Sequence, residues 1–361
     1  MSGPTAVLLS FRFGGADGVS VEARKWEWAL RELGFDTRRV AGEFADGLRP
    51  DDTRLAFLAI DPADGARDEP DALAAALAGA DVVVVENLCS LPLNATASSV
   101  AADVLLAHDG RVIFHHHDLP WEREQLAHIT HLPPRRPNSL HVTINDRARK
   151  ELAARGIEAH LIRNAFDLAP PTGDRVGTRL QLGFAPDDVV VLQPTRAIPR
   201  KEVGLGIRFA EALGEQIPGR TVRYWLTGPA EDGFDTELDR LVSGASVSVT
   251  QGRAPRAEDA YAAADVVVFP SSWEGFGNPV IEATVAGTPV AAGHYPVLNE
   301  LTDLGLQLLS IDDPVEVARR LASPDPATRE SNDACLRANF DLADLPGRLR
   351  DAFAAVGWTQ W

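Results

Sequence analysis

The sequence is short of positive charge. Its 35 lysines and arginines stand against 52 aspartates and glutamates, a net charge of −17 over 361 residues. That imbalance argues against non-specific nucleic-acid binding and against docking on anionic lipid. The basic cluster Arg147-Ala148-Arg149-Lys150 reads as a solvated helix face. Lysine occurs only at Lys25, Lys150 and Lys201, so each is a position to examine. Cysteine is nearly absent: Cys89 and Cys335 are too few and too distant for a disulfide framework, which fits a reducing compartment. No apolar run is long enough to span a bilayer, and Met1-Ser2-Gly3-Pro4-Thr5 lacks the basic start of a secretion signal. A cytoplasmic protein without stable membrane insertion is expected. No internal repeat and no low-complexity tail is found.

What is present describes an ordinary globular protein, with 45% hydrophobic and 24% charged residues. The length exceeds one typical domain, and two α/β domains are the natural expectation. Apolar strands alternate with helical segments, as in a doubly wound sheet. Expected strands in the first half are Thr5–Ser10, Leu55–Ile60, Asp81–Val85, Arg111–His116, Leu140–Ile144 and Ala159–Arg163. Pro170-Pro171-Thr172-Gly173-Asp174 reads as a linker, and the alternation then repeats from Val189. Domains are therefore set at 1–168 and 169–340, with a last amphipathic helix within 341–361.

The chain is organised around Ser271–Ala283. A buried strand, Asp265–Phe269, is stopped by Pro270; a loop with Gly275 and Gly277 follows. Asn278 suits the helix cap, Pro279 the first helical residue, and Ile281, Val285 and Ala286 a buried stripe. Glycine lets a ligand approach bare backbone, and amides at a helix start attract anions. Glu274 precedes the helix and Glu282 is expected in its first turn. An anion cradle flanked by carboxylates suits a sugar nucleotide.

Other strand ends carry polar groups. Gly14 and Gly15 follow the first strand, but the spacing is not G-x-G-x-x-G. Glu86-Asn87 and His115-His116-His117-Asp118 end two further strands, where ligand groups gather in such sheets. His115 and His117 would share a face, and Asp118 could add an oxygen. No second Cys/His cluster with ligand spacing lies nearby in sequence, so no metal is expected. Arg196 and Lys201 stand together after Val189–Gln193, where fixed cations could neutralise a leaving diphosphate.

Glu274-Gly275-Phe276-Gly277, with Glu282 further on, resembles the signature of retaining GT-B glycosyltransferases of glycosyltransferase family 4, the glycosyl transferases group 1. The resemblance is strongest at residues 196–201 and 265–301 and spans nearly the whole chain. It implies two Rossmann-like doubly wound domains facing each other across a cleft, with the last helix crossing back to the N-terminal domain. It also implies transfer of a hexose from a UDP- or GDP-linked sugar to a small-molecule or glycan acceptor, with retention and without cofactor. Arg196 and Lys201 match the family's donor-phosphate residues. Glu274 would contact sugar hydroxyls, and Glu282 the ribose. Backbone at Phe276, Gly277, Asn278, Pro279 and Val280 would meet the donor, as would Gly228 and the base-proximal Arg253. His117, followed by Asp118, matches the family's histidine near the transferred sugar, and Gly14–Gly15 its glycine loop near donor and acceptor. No D-x-D occurs, so a metal-bound diphosphate is not expected. Other readings are a GT-B sugar-nucleotide epimerase, a phosphorylase-like enzyme, or a nucleotide-sugar-binding protein without turnover.

Overall fold

The computed structural model describes residues 3–64 and 66–359; Met1 and Ser2 lie outside them. The chain divides into two compact units. One runs to Ala165 and resumes at Leu342; the other is Phe166–Asp341. These crossings fall a few residues from 168/169 and 340/341. Within the second unit they lie side by side, with Phe166 N–H donating to the Phe340 carbonyl at 2.7 Å.

The first unit is a seven-stranded sheet of β1 (Thr5–Phe13), β2 (Asp36–Phe44), β3 (Thr53–Arg54), β4 (Val82–Glu86), β5 (Arg111–His116), β6 (Ser139–Thr143) and β7 (Ala159–Leu161). Its order is β3-β2-β1-β4-β5-β6-β7, with every adjacent pair parallel. Parallel strands covered on both faces read as unbroken apolar runs, and all of Val82–Glu86 is buried. Trp26 and Leu30 of helix Gly18–Glu32 cover one face, together with Leu345, Leu349 and Phe353 of helix Leu345–Ala355. Leu73, Leu77, Ala101 and Leu105 cover the other.

Leu55–Ile60, expected as a strand, is not one: Ala56–Leu58 is a short 3-10 turn. The second strand is Asp36–Phe44, whose charged residues hid it. Arg39 is only 2% exposed, yet its guanidinium donates to Asp52 at 2.6 and 3.0 Å and to Asp46 at 2.8 Å. The Phe13 and Phe44 rings lie 5.7 and 5.0 Å from it. A buried charge satisfied on every side can occupy a sheet.

The second unit is a six-stranded parallel sheet of β8 (Val189–Gln193), β9 (Val222–Leu226), β10 (Ser248–Gln251), β11 (Val266–Phe269), β12 (Val290–Ala292) and β13 (Leu309–Ser310). Its order is β10-β9-β8-β11-β12-β13. Both sheets therefore reverse their strand order once, at β1/β4 and at β8/β11. Loops leaving the two strands at such a reversal diverge, which opens a crevice at their carboxyl ends. Among the described residues no helix is long and apolar enough to cross a membrane.

Candidate active site

In the second unit the two loops at the reversal carry Lys201 and Glu274. Gln193 ends β8 and is fully buried. Tyr224 Oη donates to its Oε1 at 2.5 Å, and its Nε2 donates to the Lys201 carbonyl at 2.9 Å. The turn Pro199–Lys201 is thereby pinned from below, and Glu202 takes a left-handed φ of 50° to start helix Val203–Gln216. Lys201 Nζ pairs with Glu274 Oε1. Arg200 Nη1 reaches Glu274 Oε2 at 3.0 Å and the Trp273 carbonyl at 2.8 Å. Burial lowers the pKa of the Lys201 amine, and the Glu274 charge offsets this only in part. One carboxylate thus lies against two cations. Arg200 escaped the sequence reading, although it adjoins Lys201.

Arg196 does not join this group. Its Nη1 pairs with Glu231 Oε2 at 2.6 Å, with both side chains 40% exposed. Gly228 is explained by packing: a Cβ there would lie 2.6 Å from the Arg196 Cα and from the Thr195 carbonyl. Only glycine lets the β8 and β9 loops approach so closely. Arg253 is exposed after β10, beside Gly252, whose carbonyl accepts from Trp225 Nε1 at 2.8 Å.

Four details of the Ser271–Ala283 segment differ from expectation. Gly277, not Asn278, caps the helix, which runs Asn278–Ala286 with Pro279 in its second position. Gly277 has φ 105°, and a Cβ on it would collide with Tyr295 Oη, so any other residue is strained here. The register shift buries Val280, Ile281, Ala283 and Thr284, while Val285 is half-buried and Ala286 exposed. It also moves Glu282 into the second turn, where Tyr261 Oη donates to its Oε2 at 2.6 Å. The amide cradle is smaller than expected, because Pro279 has no N–H and Val280 N–H donates to the Gly277 carbonyl at 2.9 Å. The Phe276 ring is turned inward, 6.3 Å from Phe166 and 6.0 Å from Phe340.

In the first unit β4 and β5 bring Glu86 and the histidines together. Side chains alternate along β5, so His115 and His117 share one face and His116 takes the other. Glu86 Oε2 lies 2.8 Å from His115 Nδ1 and 3.0 Å from His117 Nε2. The carboxylate that meets the histidine pair is therefore Glu86 and not Asp118. His115 stacks on Trp26 at 4.1 Å. His116 bridges Ser90 Oγ at 2.5 Å and His141 Nδ1 at 2.9 Å. Burial raises the Glu86 pKa, but the two imidazoles outweigh it and hold the carboxyl at about 2. Burial also drives His115 down, whereas the Glu86 hydrogen bond and charge leave His117 raised. Gly14 follows β1 with φ 80°, and a Cβ on it would strike Asp46, the partner of Arg39. On Gly15 a Cβ would lie 2.6 Å from Asp17 Oδ2. Asp17 caps helix Gly18–Glu32 through Ser20 N at 3.1 Å.

Two doubly wound parallel sheets with charged groups gathered at their reversals define the class, and solved structures give the fold its name. Sucrose-phosphate synthase from Thermosynechococcus elongatus superposes with a TM-score of 0.73 at 20% identity, covering 98% of this chain and 100% of that one. Anabaena HepE, solved in complex with UDP and glucose, gives 0.71 at 19% identity, with the same coverage of each chain. The fold is GT-B. Residues 190–323 match the family described as glycosyl transferases group 1. Mannosylglucosylglycerate synthase of Thermotoga maritima is 27% identical over 369 residues, 85% of this chain and 84% of its own. Together these findings give the chain the GT-B fold, a match to glycosyl transferases group 1 over residues 190–323, and support for glycosyltransferase activity.

Proposed function

We propose that the chain moves a hexosyl group from a UDP- or GDP-linked sugar to a hydroxyl of a small-molecule or glycan acceptor, with retention of configuration. The observation that carries this reading is the Lys201–Glu274–Arg200 group at the β8/β11 reversal. Two cations on one carboxylate leave net positive charge where the loops diverge, and fixed positive charge there stabilises a departing nucleoside diphosphate. Arg196 would exchange Glu231 for a phosphate oxygen. Glu282, oriented by Tyr261, would accept from ribose hydroxyls, and Glu274 from hydroxyls of the sugar. Gly277 and Asn278 would offer backbone to the donor, while the turns at Gly228 and Arg253 would lie towards its base. In the first unit His117 and the Gly14–Gly15 loop would meet the transferred sugar and the acceptor.

The reading needs no metal and no cofactor, since protein cations supply the positive charge. Retention without a covalent nucleophile would proceed on one face of the sugar, with a phosphate oxygen of the donor taking the acceptor's proton. The UDP and glucose held by HepE, and the mannosylated product that names the Thermotoga relative, favour nucleotide-linked hexoses as donors.

The test is incubation with UDP-glucose, UDP-galactose and GDP-mannose in the presence of sugar and polyol hydroxyl acceptors, following nucleotide release by chromatography and the anomer of the linked product by proton NMR. One donor is expected to turn over, giving an α-linked product. Release from none of them would overturn the donor assignment, and a β-linked product would overturn retention.

A further inference from the structure

We infer that Glu86 is the positioning residue of His117: it occupies Nε2, so that Nδ1 is the nitrogen that meets substrate, as a hydrogen-bond donor. This rests on the proposed place of His117 beside the transferred sugar. Glu86 pairs with His115 across β4 and β5, so the carboxylate ending β4 lies beside the face that carries His115 and His117. Its Oε2 takes both imidazoles, at 2.8 and 3.0 Å, and all three side chains are at most 6% exposed. The next residue holds the backbone. Asn87 has φ 60°, and its Oδ1 accepts from the N–H groups of His117 and Asp118, each at 3.1 Å. The Glu86-Asn87 pair thus fixes His117 at ring and main chain together.

The charges around His117 decide its protonation. Glu86 and His115 face it from the neighbouring strand ends, Glu22 from helix Gly18–Glu32, and Asp118 from the next position. Lys25, the cation nearby, is paired with Glu22 at 2.6 Å. His115, driven down by burial, stays neutral and donates its Nδ1–H to Glu86. The field at His117 is therefore negative, and its pKa is raised above the ordinary value of 6.5 although burial opposes this. The raised value favours the imidazolium, which is lost as pH rises through it. An imidazolium with Nε2 committed cannot act as a base. It can only donate from Nδ1, to an oxygen of the sugar or of the departing phosphate.

The test is imidazole nitrogen NMR on the full chain, with His117→Gln supplying the assignment, in the native protein, Glu86→Gln and Glu86→Asp. The expected result is a His117 midpoint above the usual range in the native protein, falling by about one unit or more in Glu86→Gln. Glu86→Asp retains the charge and withdraws it by one methylene. It should shift the midpoint less and in the same direction, and it carries the test if the glutamine variant does not fold. The alkaline limb of the transfer rate should move with the midpoint, at unchanged KM for the donor. An unmoved midpoint overturns the inference. So does stoichiometric zinc that abolishes the native titration until a chelator is added, because Glu86, His115 and His117 would then hold a cation and not a proton. A midpoint that moves while the rate profile stays put upholds the coupling and overturns the proposed role of His117 instead.

Discussion

The two sheets reverse their strand order in the same way and present opposite chemistry at the reversal. In the second unit one carboxylate, Glu274, lies against an amine and a guanidinium. In the first, one carboxylate, Glu86, lies against two imidazoles. The first arrangement sets two basic groups against one carboxylate. The second carries a charge that depends on a single proton. One scaffold thus supplies a permanent electrostatic site and an adjustable one, and the difference is set only by which residue types end the strands.

The sharpest way to break that comparison is Lys201→Ala. It leaves Glu274 with Arg200 alone, one charge against one, and removes the surplus that suits a diphosphate. Loss of a preorganised charge partner of this kind costs about 10²–10³ in turnover. UDP or GDP binding by calorimetry is expected to weaken in parallel. Retention of turnover within about threefold, where 10²–10³ is expected, would mean that the fixed charge is not what the second unit contributes.

Gly277→Ala comes next and tests whether backbone, as well as charge, defines the second site. Alanine is strained at φ 105°, and its Cβ would press on Tyr295 Oη. A forced left-handed position costs of order 1–3 kcal/mol. The thermal midpoint should fall accordingly. Adding Tyr295→Phe removes the struck oxygen but not the φ strain, so it should restore part of the loss. Full recovery would show that the collision alone mattered, and no initial loss would show that the loop relaxes freely.

The two regions also differ in how far they could be read in advance. The second site is written locally. Pro270, Gly277 and Pro279 mark the end of a strand and the start of a helix within ten residues, and Lys201 lies just beyond β8. What escaped there was register: Gly277 took the cap by its positive φ, which moved Glu282 along by one position into the second turn, and its partner there is Tyr261, which no local pattern announces. The first site is assembled from afar. Glu86, His115 and His117 meet because β4 and β5 are neighbours, and that follows from sheet order and not from spacing in sequence. The histidine run suggested Asp118 as the third group because it is adjacent in the chain; the fold chose Glu86 instead. β2 was missed for a related reason, since Arg39 is unfavourable in a sheet until Asp46 and Asp52 are placed around it.

The smallest expected effect lies at Arg196. Its pair with Glu231 is 40% exposed on both sides, and ion pairs of that kind contribute about 0–1 kcal/mol. Glu231→Gln should therefore leave the thermal midpoint nearly unchanged. Its consequence should appear in binding. If Glu231 occupies the guanidinium that a donor phosphate needs, removing the charge should strengthen nucleotide affinity by about two- to fivefold at low salt, and less as salt screens the site. A weaker affinity would mean that Glu231 orients Arg196 towards the donor. The cation of the second site would then be as dependent on a carboxylate partner as His117 is in the first, and the contrast between a fixed and a tuned site would narrow to Lys201 and Arg200 alone.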